Sequence, residues 1–257
     1  MPLQKLQTFA LAFLGLILAF VGPAARADDA TIAVATNFAT TMRALKSDFE
    51  AGSDHTLTIA AGSTGQIYAQ IVNGAPFDLY LAADQTRPLL LEQRGLAQPG
   101  TRVTYATGQL VLWGQGRSNV GELDVSTLLA QENIKIAIAN PELAPYGSAA
   151  QDVLEALGLW PQANGRLIRG ENIGQAYLLV ATGNVDFGIV ALSQVLSDET
   201  VEAGSWQRVP QSLYDPIRQD AIMMRRAADN AAARDFLHYL TSDGAQALIE
   251  RHGYEVE

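Results

Sequence analysis

The sequence predicts an α/β protein with mixed, mostly parallel sheets. Three observations carry this. Short apolar runs alternate with segments of helical period through most of the chain. The turns that follow several runs are rich in Ser, Thr, Asn and Gly, the residues that start helices. No internal repeat, low-complexity stretch or cysteine framework points to another architecture.

The first residues stand outside that alternation. Lys5 precedes an almost wholly apolar stretch at 6–21, and Pro23-Ala24-Ala25-Arg26-Ala27 puts small residues at the first and third places of an A-x-A site. This reads as a secretory signal peptide cut after Ala27. The small-residue end favours cleavage over a retained anchor of borderline length. No later stretch is apolar enough to span a membrane.

From there the elements follow in order. A strand over 32–35 precedes a helix with Met42, Leu45 and Phe49 at i, i+3 and i+7. A strand over 57–60 precedes a helix carrying Ile67 and Ile71. Strands are expected at 79–83, 110–113 and 134–139, the last followed by a helix with Val153, Leu154 and Leu157 on one face. A helical segment includes 177–180, and strands follow at 187–190 and 221–224. Phe236, Leu237 and Leu240, then Leu248 and Ile249, mark two terminal helices around Asp243-Gly244. The stretches 102–108 and 214–224 suit crossovers between two domains. The expected division is 1–27 signal peptide, 28–106 with 226–257 as a discontinuous domain I, and 107–225 as domain II.

Charge and composition exclude several functions. The chain has 17 Lys and Arg against 27 Asp and Glu, and loss of Lys5 and Arg26 with the leader makes it more acidic still. With no basic block, nucleic acid and anionic membranes are poor partners. An exported chain without cysteine has no disulfide, no thiol chemistry and no lipid attachment point. A soluble periplasmic protein of a Gram-negative bacterium fits best.

The polar turns are the candidate site. In open α/β sheets, ligands sit beyond the carboxyl ends of strands, where helices begin. A helix start carries unpaired N–H groups and about half a positive charge, so it binds an anion without a basic side chain. Four such places occur: Thr36-Asn37, Ser63-Thr64, Tyr146-Gly147-Ser148 and Asn172-Ile173-Gly174. Two fall in each proposed domain, so an interdomain cleft can gather all four. Each taken alone also reads as an ordinary N-cap. Tyr146 also reads as a half-buried ring, and Ile173 as core that offers only its backbone N–H.

Other chemistry is thin. His55, His238 and His252 lack metal-ligand spacing. Ser63 is not in a G-x-S-x-G elbow, because Ala61 holds the first glycine position. Asp78, Asp84 and Asp186 have no neighbouring histidine in sequence, and no Gly-rich phosphate loop appears. Arg43 and Lys46 lie a turn or two into a helix, on a face expected to meet solvent.

These residues bring a family into view. "VATNF" (34–38), "GSTGQIYAQI" (62–71), "GAPFDLYLAADQ" (74–85), "NPELAPYG" (140–147), "GENIGQA" (170–176) and "GNVDFGIVALSQV" (183–195) occur in order. With that set, the chain resembles the periplasmic molybdate-binding proteins of ABC importers over essentially its whole mature length. The resemblance implies a type II binding-protein clamshell of two domains joined by two crossing strands. It implies an oxyanion, molybdate or tungstate, held by hydroxyls and backbone N–H groups of Thr36, Asn37, Ser63, Tyr146 and Ile173. These touch the anion's oxygens and are not ligands of the metal atom. Many members have serine where Asn37 stands, tyrosine where Ala191 stands and alanine where Tyr146 stands, so the likeness is to the branch with "TNF" and "APYG". The resemblance further implies a monomer with no cofactor and no catalysis, delivering its ligand to an inner-membrane ABC permease. The rivals are a binding protein for sulfate, phosphate or a small organic acid, a secreted hydrolase using Ser63, and a sensor that binds the anion without transport.

Overall fold

The computed structural model describes residues 28–256, apart from 118–119, 121–124, 132–133, 164 and 203–204. The expected signal peptide lies outside the described residues. The alternation is present throughout. β1 (Asp29–Ala35) runs through a 3-10 turn at Thr36–Phe38 into α1 (Ala39–Ala51). β2 (Thr56–Gly62) leads to α2 (Thr64–Val72), and β3 (Leu79–Leu81) to α3 (Thr86–Gln93). β4 (Val103–Gly108) is followed directly by β5 (Leu110–Trp113), then α4 (Val125–Ala130) and β6 (Ile136–Ala139). Next come α5 (Pro145–Ala156), α6 (Trp160–Ala163), β7 (Leu167–Gly170) and α7 (Ile173–Ala181). β8 (Phe187–Ala191), α8 (Leu192–Leu196), β9 (Trp206–Arg208) and β10 (Ile217–Met223) precede the closing helices α9 (Ala231–Leu240) and α10 (Asp243–Arg251).

The strands form two five-stranded mixed sheets, ordered β2-β1-β3-β10-β4 and β7-β6-β8-β5-β9. The central strands are apolar on both faces because both faces are covered. In β1, Ile32 and Val34 face one core with Met42, Leu45, Phe236 and Ile249, while Ala33 faces another with Ile67, Ile71, Tyr80 and Ile222. The chain's first helix and its last two thus share one face of the first sheet. The second sheet has its own core, which includes Trp113, Ile138, Val153, Leu154 and Ile189.

The chain passes from the first sheet to the second after Gly108 and returns at Ile217. β10 pairs antiparallel with β3 and β4, so it belongs to the first sheet, although the division by sequence grouped 107–225 together. It also starts earlier than the expected 221. Strands β4, β7 and β9 were not predicted as such. β7 has the burial pattern of an edge strand and β9 has only three residues, so neither carries a strong apolar signal. The tail then returns to the crossover. Thr107 and Glu255 exchange backbone hydrogen bonds of 2.7 and 2.9 Å, which brings Tyr254 beneath the turn after β1. Phe38 from that turn packs edge-on between Tyr105 and Tyr254, with ring centroids at 4.7 and 5.1 Å.

Candidate functional site

All four predicted turns converge. Thr36, Asn37, Ser63, Thr64, Tyr146, Asn172 and Ile173 line one small cavity of about 10 Å³ between the two sheets' helix starts. Ala and Gly residues complete the wall with Pro145, and no charged side chain among the described residues lines it. Each wall residue is placed by a local signal. Ser63 is the N-cap of α2, its Oγ accepting from Gln66 N at 3.3 Å. Asn172 caps α7 by accepting from Gln175 N at 3.0 Å, which makes Ile173 the first helical residue. The N–H groups of that first turn have no acceptor within the helix. Pro145 opens α5 at a position where a missing N–H costs nothing, and it sets Tyr146 beside it.

Hydrogen bonds join the two walls. Ser63 Oγ donates to Leu143 O at 3.0 Å, and Gly65 N donates to the same carbonyl at 2.8 Å. Gly174 N donates to Thr36 Oγ1 at 3.3 Å, which leaves the Thr36 hydrogen for another acceptor. Ser193 Oγ donates to Asn37 O at 3.2 Å, and Arg87 reaches Glu142 O at 3.1 Å. Ser63 was expected as a ligand donor. Here its hydrogen serves the contact with Leu143 instead.

The floor is a buried polar cluster that sequence reasoning missed. Gln219 on β10 is fully buried. It accepts from Asn37 Nδ2 at 2.9 Å and Tyr105 OH at 3.1 Å, and donates to Tyr146 OH at 3.2 Å. Asn37 Nδ2 also donates to Tyr254 OH at 3.1 Å. Tyr146 reaches this floor only because residue 108 is glycine. A Cβ there would lie 1.9 Å from the phenol oxygen. Burial pushes the Tyr105, Tyr146 and Tyr254 phenols well up, so all three stay neutral at physiological pH. The sequence signal for these residues was weak: "RVTYATG" had been read as a crossover, without a site role.

The remaining candidates fall away from the cavity. Ala191 is buried at the start of α8 and does not line it. The bonding partners of Ser63 Oγ are a carbonyl and a backbone N–H, which gives no general base to a hydrolase. Asp78 is engaged by Arg226 and Thr31 N, Asp84 by Arg87, and Asp186 by Arg117. His55 bonds Asp235 and stacks on Phe49, and His252 meets Thr41 Oγ1 at 3.2 Å. Arg43 and Lys46 lie by the outer groove along α1, and Lys46 pairs with Glu50.

Comparison with known proteins bears on the family and the fold. The family model described as bacterial extracellular solute-binding protein matches residues 30–255. The molybdate-binding protein ModA of Azotobacter vinelandii is 43% identical over 235 residues, 91% of this chain and 92% of that protein. ModA of Rhodobacter capsulatus is 41% identical over 254 residues, 99% of this chain and 98% of that one. The solved structure of the Azotobacter vinelandii periplasmic molybdate-binding protein superposes with a TM-score of 0.83 at 37% identity, covering 89% of this chain and 99% of that one.

Proposed function

The chain belongs to the bacterial extracellular solute-binding protein family, a group of transport components and not enzymes, and from that premise we propose that it captures molybdate or tungstate. It would do so in the periplasm of a Gram-negative bacterium and hand the anion to an ABC permease in the inner membrane. The observation that carries the reading is the cavity: four helix or turn starts, neutral hydroxyls and amides, and, among the described residues, no charged side chain in the wall.

A tetrahedral dianion suits that wall. Each charge-assisted hydrogen bond is worth roughly 1.5–3 kcal/mol, and several together outweigh the cost of ordering. Thr36, Asn37, Ser63, Tyr146 and the Ile173 N–H are the proposed contacts, all to oxygens. Domain I (the first sheet with its helices) and domain II (the second) would close on the anion as a hinge. The bond from Gly65 to Leu143 O belongs to the closed form, and Ser63 would turn its hydrogen from Leu143 O to the anion when one is bound. Sulfate is smaller and would not reach donors on both walls at once. Hydrogen phosphate brings a proton that needs an acceptor.

The test is thermal unfolding of the mature protein with molybdate, tungstate, sulfate and phosphate at equal excess. A ligand at about 100 times its dissociation constant adds roughly 2.7 kcal/mol, a midpoint rise of about 5–10 °C for a chain of this size. The rise is expected with molybdate and tungstate. A rise with sulfate or phosphate alone would overturn the assignment. So would no rise with any of the four for protein shown by elemental analysis to be free of bound metal.

A further inference from the structure

The floor of the cavity contains an acceptor where a dianion needs a donor. Asn37 lines the cavity at 3% exposure, and both Nδ2 hydrogens are taken, by Gln219 Oε1 and Tyr254 OH. What remains for a ligand is Oδ1, which is buried without any hydrogen-bond partner. Leaving such an atom unpaired is costly, and an oxygen acceptor facing a dianion adds repulsion.

A second arrangement of the same heavy atoms pairs that oxygen and turns an Asn37 N–H to the cavity. Turning the Asn37 and Gln219 amides together exchanges N for O in each. Gln219 Nε2 then donates to Asn37 Oδ1 across the same 2.9 Å and to the Tyr105 oxygen across 3.1 Å, while Tyr105 keeps its own bond to Ala82 O. Tyr254 OH, which otherwise donates to Asn37 O at 2.8 Å, can turn its hydrogen to Asn37 Oδ1 across 3.1 Å, leaving Asn37 O its bond from Ser193 Oγ. Gln219 Oε1 faces the Tyr146 hydroxyl as an acceptor across 3.2 Å. Asn37 Nδ2 takes the place of the orphaned oxygen. Turning only one amide would set two donors or two acceptors face to face at 2.9 Å, so the pair moves as a unit.

We propose that Gln219 is the positioning residue of the anion site, and that its amide decides whether Asn37 offers the cavity a donor or an acceptor. With Gln219 donating to Asn37, the Asn37 amide N–H faces the anion and favours a fully deprotonated dianion, while the Tyr146 hydrogen is held by Gln219. With Gln219 accepting from Asn37, the wall keeps an acceptor and tolerates an oxyanion that carries a proton. Its place in the strand fits this role. The β10–β4 ladder shifts register between Gln219 and Asp220, where Tyr105 is the extra residue, and a bulge of this kind re-aims a side chain, here the Tyr105 phenol that meets the Gln219 amide. Asp220 itself is engaged by Arg102, Thr104 and Gln85. The groups in contact with the Gln219 amide are the Asn37 amide and the neutral Tyr105 and Tyr146 phenols.

The inference rests on the oxyanion reading, and one experiment separates the two. Affinities for molybdate, tungstate, sulfate and phosphate are measured by calorimetry for wild type, Gln219→Glu, Asn37→Ala and the double variant near neutral pH. Burial raises a carboxyl at this position, so the series is repeated at about pH 9, where the ionised glutamate accepts only and holds Asn37 in the acceptor-outward state. The molybdate-to-phosphate affinity ratio is expected to fall about ten-fold or more in Gln219→Glu, and to change less than about two-fold when the same substitution is made on Asn37→Ala. An unchanged ratio in Gln219→Glu, or an equal fall on the Asn37→Ala background, overturns the positioning role. A second measurement needs no variant at position 219. In ¹⁵N-labelled wild type, the Asn37 side-chain NH₂ signals, identified by their loss in Asn37→Ala, are expected to shift on adding molybdate, and unmoved signals overturn the proposal. Failure of wild type to bind molybdate or tungstate tells against the functional reading. If wild type binds sulfate or phosphate instead, the same Asn37-dependent change on Gln219→Glu is read with that ligand. Wild type bound by none of the four overturns both.

Discussion

Ser63 and Ser242 are the same residue doing the same local work. Each caps a helix by accepting one backbone N–H at 3.3 Å, from Gln66 and from Ala245. Their surroundings separate them. Ser63 is 2% exposed and gives its hydrogen to Leu143 O on the other wall of the cleft, while Ser242 is partly exposed at the junction of α9 and α10. The cap of α9, Asn230, likewise accepts from Ala233 N and spends its amide on Asp29 O within its own half of the molecule. A cap becomes part of a binding site when its second bonding direction meets the opposite wall.

The sharpest way to break that contrast is to remove the meeting of the walls. Gly108→Ala would put a methyl group on the Tyr146 phenol, so Tyr146 must leave the floor. Molybdate affinity is expected to fall about 100-fold, roughly 2.8 kcal/mol, by calorimetry. Ser63→Ala comes next. It should cost about 1 kcal/mol of stability through the lost cap and lower molybdate affinity about ten-fold through the lost cross-cleft hydroxyl. Ser242→Ala should cost a similar 1 kcal/mol or so in a denaturant melt and leave affinity unchanged. Equal affinity losses from the two serines would erase the distinction.

The smallest effect is expected from pH. The folded phenols of Tyr105, Tyr146 and Tyr254 are raised above the unfolded value of about 10. Their contribution to stability is therefore complete below about pH 10 and lost as pH rises through the folded values, because the unfolded chain gives up its phenolic protons first. Stability should be insensitive to these groups near neutrality and fall above about pH 10. Melting curves in a pH series, with Tyr146→Phe as control, would check this. A fall beginning well below that value would mean that the phenols are not what titrates.

Local chemistry determined much of this protein. Apolar runs at the positions of β1, β2, β5 and β8, the periods of α1 and α5, and the Ser63 and Asn172 caps are all relations within a few residues, so the α/β class and the polar helix starts were legible. The resemblance carried by the ordered motifs supplied the family. Tertiary structure decided the rest. Asn37 bonds Gln219 across 182 positions and Tyr254 across 217. Gly108 matters only because the Tyr146 hydroxyl arrives there from the other sheet. β10 joined the first sheet by pairing with strands more than a hundred residues earlier, a partnership that no local window contains. A helix cap follows from its own neighbours. A buried amide network follows from which distant groups are brought within 3 Å when the chain closes on itself, and that is fixed by packing two sheets together.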